Sequence, residues 1–187
     1  MIYPRIVAKS LEFPKIELMI LLGCAFRNAV FVMKEFLASE AKLCTFETIL
    51  IKIHPARYYD EKMLEDALGI KLPEQYKFVN EPLEEFVNRI KRAFCAASGV
   101  SVELVLRGIP TVTVAEPYGL TMDYLSGGGE NQYYRFCFSR AEIQKAFTEF
   151  NSYAESQSRA IDDNTKKLRN SYIAPFDSKY WKSYLIV

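Results

Sequence analysis

Three short stretches carry side chains suited to holding an anion or a sugar. The first is Lys52-Ile53-His54-Pro55. An imidazole at the end of a strand can donate a hydrogen bond to a phosphate oxygen and, when protonated, help neutralise it. Pro55 turns the chain out of the strand and fixes where the ring points. The plainer reading is a half-buried histidine that only caps a loop. The second stretch is Ser98-Gly99-Val100-Ser101-Val102-Glu103. At a helix start the free N–H groups bind anions, and Gly99 lets a phosphate approach the backbone. Ser98 and Ser101 add hydroxyl donors, and Glu103, one turn in, can accept from ribose hydroxyls. The competing reading is that Ser98 or Ser101 merely caps the helix. No Gly-Lys-Ser/Thr follows, so this is not a Walker A loop, and it is not G-x-G-x-x-G, which disfavours NAD. The third stretch is Tyr118 to Tyr124, where Asp123 is a candidate for sugar hydroxyls against the simpler role of a solvated loop carboxylate. The run Gly127-Gly128-Gly129 reads as a flexible turn.

Such residues act together only if the fold brings them to one place. Ile16 to Leu22 is a continuous apolar run ending at Gly23, as a buried strand should. Helical spacing of Val30, Met33 or Lys34, and Leu37 predicts a helix from Arg27 to about Ala41. Thr48 to Ile53 is a short β-branched strand. Asp60 is suited to cap a helix carrying Met63, Leu64, Ala67 and Leu68, with Gly69 closing it. A strand is expected at 76–79. A helix is then expected from Pro82, burying Leu83, Phe86, Val87 and Ile90. Strand 93–97, helix 102–107 closed by Gly108, strand 110–115 and strand 134–138 follow. Ser139-Arg140-Ala141-Glu142 has the form of a capping box and opens a helix with Ile143, Phe147, Phe150 and Ala154 inward. The stretch 155–170 is polar, and the tail 172–187 is aromatic.

Strands alternate with helices about six times, and the strands are apolar throughout rather than alternating with polar residues. That pattern predicts an α/β fold: a Rossmann-like, doubly wound, mostly parallel sheet of about six strands flanked by helices. In such a sheet ligands bind beyond the carboxyl ends of the strands, where His54, Ser98 and the segment before Asp123 fall. The 187 residues fit one domain: a lead-in over 1–15, an α/β core over 16–150, and a polar helix with an aromatic tail over 151–187.

Composition narrows the function classes. A formal net charge of +1 supplies no basic excess for a phosphate backbone, so nucleic-acid binding is not expected. A single histidine excludes a His-rich metal site, and nothing points to a carboxylate one. No stretch reaches the about 18–20 apolar residues of a membrane span, and the N-terminus lacks the regions of a signal peptide. Cys24, Cys44, Cys95 and Cys137 form no C-x-x-C pair and read as reduced thiols. The expected location is the cytoplasm, the inner face of the membrane included.

The order of these blocks resembles a known arrangement: K-x-H-P after one strand, then S-G-x-S-x-E-x-x-x-x-G-x-P from Ser98 to Pro110. It is similar to the C-terminal, donor-binding domain of GT-B glycosyltransferases. The resemblance is especially to bacterial enzymes of surface-carbohydrate, capsule, CDP-glycerol or CMP-sialic acid chemistry. The likeness covers roughly residues 48–125. It implies a nucleotide-sugar ligand, CMP-, CDP- or UDP-linked, and no other cofactor. His54 would be the catalytic residue, contacting the donor phosphate and helping the leaving group depart. Ser98, Gly99 and Ser101 would bind phosphate, Glu103 ribose, and Asp123 would lie near the sugar. A complete enzyme of this kind has two such domains, and this chain has room for one. The expected partner is therefore an N-terminal acceptor domain or partner chain, against which Tyr172, Phe176, Tyr180, Trp181 and Tyr184 can dock. One rival is a UDP-sugar 2-epimerase-like domain, whose Ser-Gly-Gly-x-x-Glu-Glu block lacks its second Gly and second Glu here. The other is a non-catalytic flavodoxin-like interaction module such as a receiver. Its early strand ends need acidic residues, where this chain has Gly23, His54 and Asn80.

Overall fold

The computed structural model describes residues 16–40, 46–116, 121–125 and 132–156, together with Lys166 and Asn170. Six strands form one sheet: β1 (Leu18–Leu22), β2 (Ile49–Ile53), β3 (Tyr76–Val79), β4 (Ala93–Ala96), β5 (Thr111–Val114) and β6 (Tyr134–Cys137). Their order is β3-β2-β1-β4-β5-β6, and every neighbouring pair is parallel. The order runs outward one way from β1 to β3 and the other way from β4 to β6. The reversal falls between β1 and β4, which is where a doubly wound sheet opens a crevice. The Rossmann-like sheet expected from the apolar runs is therefore the one observed.

The two faces of the sheet are covered differently. On one lie α1 (Phe26–Glu40), α2 (Glu61–Leu68) and α4 (Arg140–Ser156). Their residues Val32, Phe36, Leu64, Phe147 and Phe150 share a core with Leu18, Ile20, Ile51, Phe94 and Val112. Phe36 is the centre of this core, its ring within 6.4 Å of those of Phe46, Tyr76, Phe94 and Phe147. A two-point contact from Arg140 to Glu35, at 3.0 and 2.9 Å, ties α4 to α1. On the other face α3 (Gly99–Leu106) packs over β4 and β5, and an irregular segment through residues 83–90 covers Met19, Leu21 and Leu50.

Local signals account for the helix ends. Asp60 Oδ1 accepts from Met63 N at 2.8 Å, and Gly69 closes α2 at φ 70°, a left-handed conformation that favours glycine. Ser139 Oγ accepts from Glu142 N at 3.3 Å, and Glu142 Oε2 accepts from Ser139 N at 3.1 Å. This is the reciprocal capping box expected there. α1 starts at Phe26, one residue before the expected boundary.

Two expectations need correction. The segment after Pro82 is not a helix but a 3-10 turn (Leu83–Glu85) followed by irregular chain. Ile90 makes a parallel bridge with Ile16, with Lys91 N donating to Ile16 O at 2.8 Å, so the chain must be extended again by residue 90. Phe86, Val87 and Ile90 are nevertheless buried as expected. Further on, α3 starts at Gly99 rather than Val102, because Ser98 is extended (φ −162°, ψ 164°) and stands at the N-cap. No helix among the described residues is long and apolar enough to cross a membrane. The side chain of Ala154, the polar stretch beyond 156 apart from Lys166 and Asn170, the aromatic tail, Gly119 and the glycine run fall outside this description.

Candidate functional site

A cavity of about 340 Å³ opens at the carboxyl ends of β1, β2 and β4, over the point where strand order reverses. Its volume is in the range of small-molecule sites. His54, Ser98 and Gly99, from the two motif blocks, stand together on its lining, although Ser98 lies 44 positions after His54.

Each is placed by the strand it follows. His54 N donates to Leu22 O at 3.0 Å, extending the β1–β2 pairing by one residue and holding His54 over the end of β1. The Ala56 N–H donates to His54 Nδ1 at 3.1 Å. A ring nitrogen that accepts carries no proton, so the neutral imidazole has its proton on Nε2 and the exposed ring offers a donor there. Lys52, two residues before, also lines the cavity and donates from Nζ to Glu81 O at 2.6 Å. That leaves its positive charge beside the crevice.

Gly99 and Val100, the first two residues of α3, line the cavity as well. Their N–H groups precede any carbonyl within the helix to which they could donate. Ser98 lines the cavity, and its side chain makes no capping bond to α3. A Cβ added at Gly99 would meet nothing within 4 Å, so a ligand can come up to the backbone there.

The remaining candidates are engaged elsewhere. Ser101 is buried within α3, and its hydroxyl donates to Ser98 O at 2.6 Å. It is absent from the cavity lining, one turn of backbone behind Ser98. Glu103 accepts from Arg107 at 2.6 Å, a half-exposed pair one turn apart, also away from the lining. Asp123 Oδ1 accepts from Leu125 N at 2.9 Å and from the Tyr134 hydroxyl at 2.7 Å. It shapes the loop after β5 rather than facing the crevice. Burial and the Asp123 carboxylate both push the Tyr134 hydroxyl well above the ordinary tyrosine range, so Tyr134 keeps its proton and remains the donor.

Three residues of the site carried no assigned role beforehand. Gly23 and Asn28 line the cavity from the end of β1 and the first turn of α1. Tyr59, buried, donates to Gly23 O at 2.6 Å and packs on Phe26, ring centroids 5.3 Å apart. Burial pushes its hydroxyl up to about 12, against a smaller opposing pull from Arg57. Gly23 had a visible signal, the stop of an apolar run. Asn28 and Tyr59 had none, because their partners are distant in sequence.

Comparison with known proteins gives the class of fold. No family model matches the chain, and no curated protein matches it in sequence. Solved structures do match in three dimensions. The spinosyn rhamnosyltransferase SpnG, solved with thymidine diphosphate, superposes with a TM-score of 0.58 at 16% identity, over 95% of this chain and 47% of that one. CalG4, the calicheamicin glycosyltransferase, superposes with a TM-score of 0.55 at 14% identity, over 93% of this chain and 44% of that one. The glycotransferase of kitacinnamycin gives 0.53 at 12% identity, over 90% and 42%. This chain thus spans less than half the length of the structures it resembles. At such identities the likeness is one of fold: the six-stranded sheet matches one Rossmann-like half of a GT-B glycosyltransferase.

Proposed function

We propose that this chain is the donor-binding half of a GT-B glycosyltransferase and holds a nucleotide-sugar in the crevice between β1 and β4. The observation that carries this reading is the convergence of His54, Ser98 and the first N–H groups of α3 on one cavity at the reversal of strand order. Glycosyl transfer leaves negative charge growing on the departing nucleotide. Fixed donors stabilise such charge because they need no rearrangement as it develops. Here those donors are the His54 Nε2–H, the Ser98 hydroxyl and the backbone of Gly99 and Val100, with Lys52 adding positive charge nearby. His54 is the catalytic residue of this reading: its Nε2–H binds the leaving phosphate and helps it depart by stabilising the charge that grows there. The acceptor and its base would come from a second domain or a partner chain. The order of the K-x-H-P and S-G-x-S-x-E blocks directs the same proposal to surface-polysaccharide synthesis.

The test is a thermal-unfolding titration of the chain with CMP, CDP, UDP, GDP and TDP. One nucleotide should stabilise the fold selectively, since a ligand bound only by the native state raises its melting temperature. His54→Ala should weaken that nucleotide about tenfold or more, the loss of one hydrogen bond to a charged group. A folded chain indifferent to all five, or a His54→Ala variant binding as the parent does, contradicts the proposal.

A further inference from the structure

Opposite the donors, the same cavity has a wall of reversed polarity. Asn28, in the first turn of α1, lines the crevice from the other face of the sheet. Its Nδ2 donates to Glu116 Oε1 at 2.9 Å, across 88 residues of sequence. Glu116 stands just beyond the end of β5, and its own N–H donates to Thr121 Oγ1 at 3.0 Å. A carboxylate can only accept, so Glu116 compels the amide of Asn28 to turn its NH2 group outward to β5 and its carbonyl oxygen back. That Oδ1 lies over Gly23, 3.2 Å from where a Cβ on Gly23 would be, and accepts no hydrogen bond among the described residues. Any larger residue at position 23 would press on it.

The geometry points to Asn28 as a specificity-determining acceptor for a sugar hydroxyl, with Glu116 as the residue that positions it. This rests on the donor-binding reading and deepens it. A phosphate oxygen is itself an acceptor and is repelled by Asn28 Oδ1, whereas a hydroxyl donates to it. The crevice therefore takes its ligand in one polarity, phosphate toward His54 and α3, hydroxyl toward α1. The hydroxyl belongs either to the ribose of the nucleotide or to the transferred sugar. Both present the same chemistry to Asn28, and binding measurements separate them.

The experiment compares affinities of the parent chain and Asn28→Leu, by NMR titration, for inorganic pyrophosphate, UDP and UDP-glucose, or for the CDP, GDP or TDP counterparts if one of those is the base selected. Asn28→Leu should leave pyrophosphate unaffected. It should weaken the hydroxyl-bearing ligands about three- to tenfold, the usual range for one neutral hydrogen bond. A loss for UDP and UDP-glucose alike assigns the ribose, and a loss for UDP-glucose alone assigns the transferred sugar. Two further variants test the positioning role. Asn28→Asp sets two carboxylates against each other, and Glu116→Gln frees the amide to turn, so each alone should lose selectivity. Combined, N28D and E116Q restore an acceptor over Gly23 with a donor behind it, and most of the lost affinity should return. Unchanged binding of all ligands by Asn28→Leu, an equal loss for pyrophosphate, or no recovery in the double variant overturns the inference while the donor-binding reading stands. If no nucleotide binds the parent chain, both fall together.

Discussion

The two faces of the sheet show a division of labour. One is covered by three helices over a continuous aromatic core around Phe36, Phe94 and Phe147. The other is covered by the eight-residue α3 and by a segment that is helical for barely a turn before Ile90 must pair with Ile16. The well-filled face supplies stability. The crevice lies at the carboxyl ends of β1 and β4, between the first turn of α1 on the filled face and that of α3 on the thinner one. The candidate crevice falls where the two coverings part, because α1 and α3 leave the sheet on opposite sides.

The largest effect should come from the filled face. Phe36→Ala removes a ring packed against four others and should cost about 3–5 kcal/mol in chemical denaturation. If it costs less than about 1 kcal/mol, this face is not the stabilising one. Tyr59→Phe tests the seam between core and crevice. It strands the Gly23 carbonyl and should cost about 1–2 kcal/mol, with a fall in nucleotide affinity as the turn after β1 loosens.

Tyr59 also has a pH signature. Burial holds its hydroxyl at about 12 against an ordinary 10, so the folded chain keeps a proton that the unfolded chain loses. The stability this gives is full below pH 10 and is lost as the pH rises toward 12. Burial also raises the Cys95 and Cys137 thiols, each to about 12, and raises Tyr134 in the same direction. The whole chain should therefore weaken in alkali. Tyr59→Phe should flatten part of that fall and leave the rest, as read from unfolding midpoints across the alkaline range. The smallest effect on stability belongs to Gly99→Ala, where an added Cβ meets open space and α3 gains a better helix former. Its melting temperature should hold or rise while nucleotide affinity drops. A parallel loss of both would mean that Gly99 serves the fold and not the ligand.

Much of this was legible in the chain itself. The strands announce themselves as unbroken apolar runs such as Ile49-Leu50-Ile51, and α2 and α4 carry their own end signals in Asp60, Gly69 and Ser139. His54, Ser98 and Gly99 were readable because each follows a strand. What stayed hidden depends on where side chains go in space. The sequence does not show that the Ser101 hydroxyl donates to Ser98 O. Asp123 looks free until Tyr134 reaches it, and Asn28 has no evident role until Glu116, 88 positions on, reaches it from just beyond β5. The 83–90 segment has the apolar spacing of a helix, but the bridge to Ile16 overrides it.

The central claim is that a nucleotide binds over the reversal of strand order. An amide-resolved NMR titration with the nucleotide that stabilises the chain tests this most directly. Shifts gathered at residues 22–28, 52–57 and 96–101, and fading along α2 and α4, are the predicted result. Shifts centred on the outer edge around the exposed Phe138, with the amides of His54 and Gly99 unmoved, would contradict it.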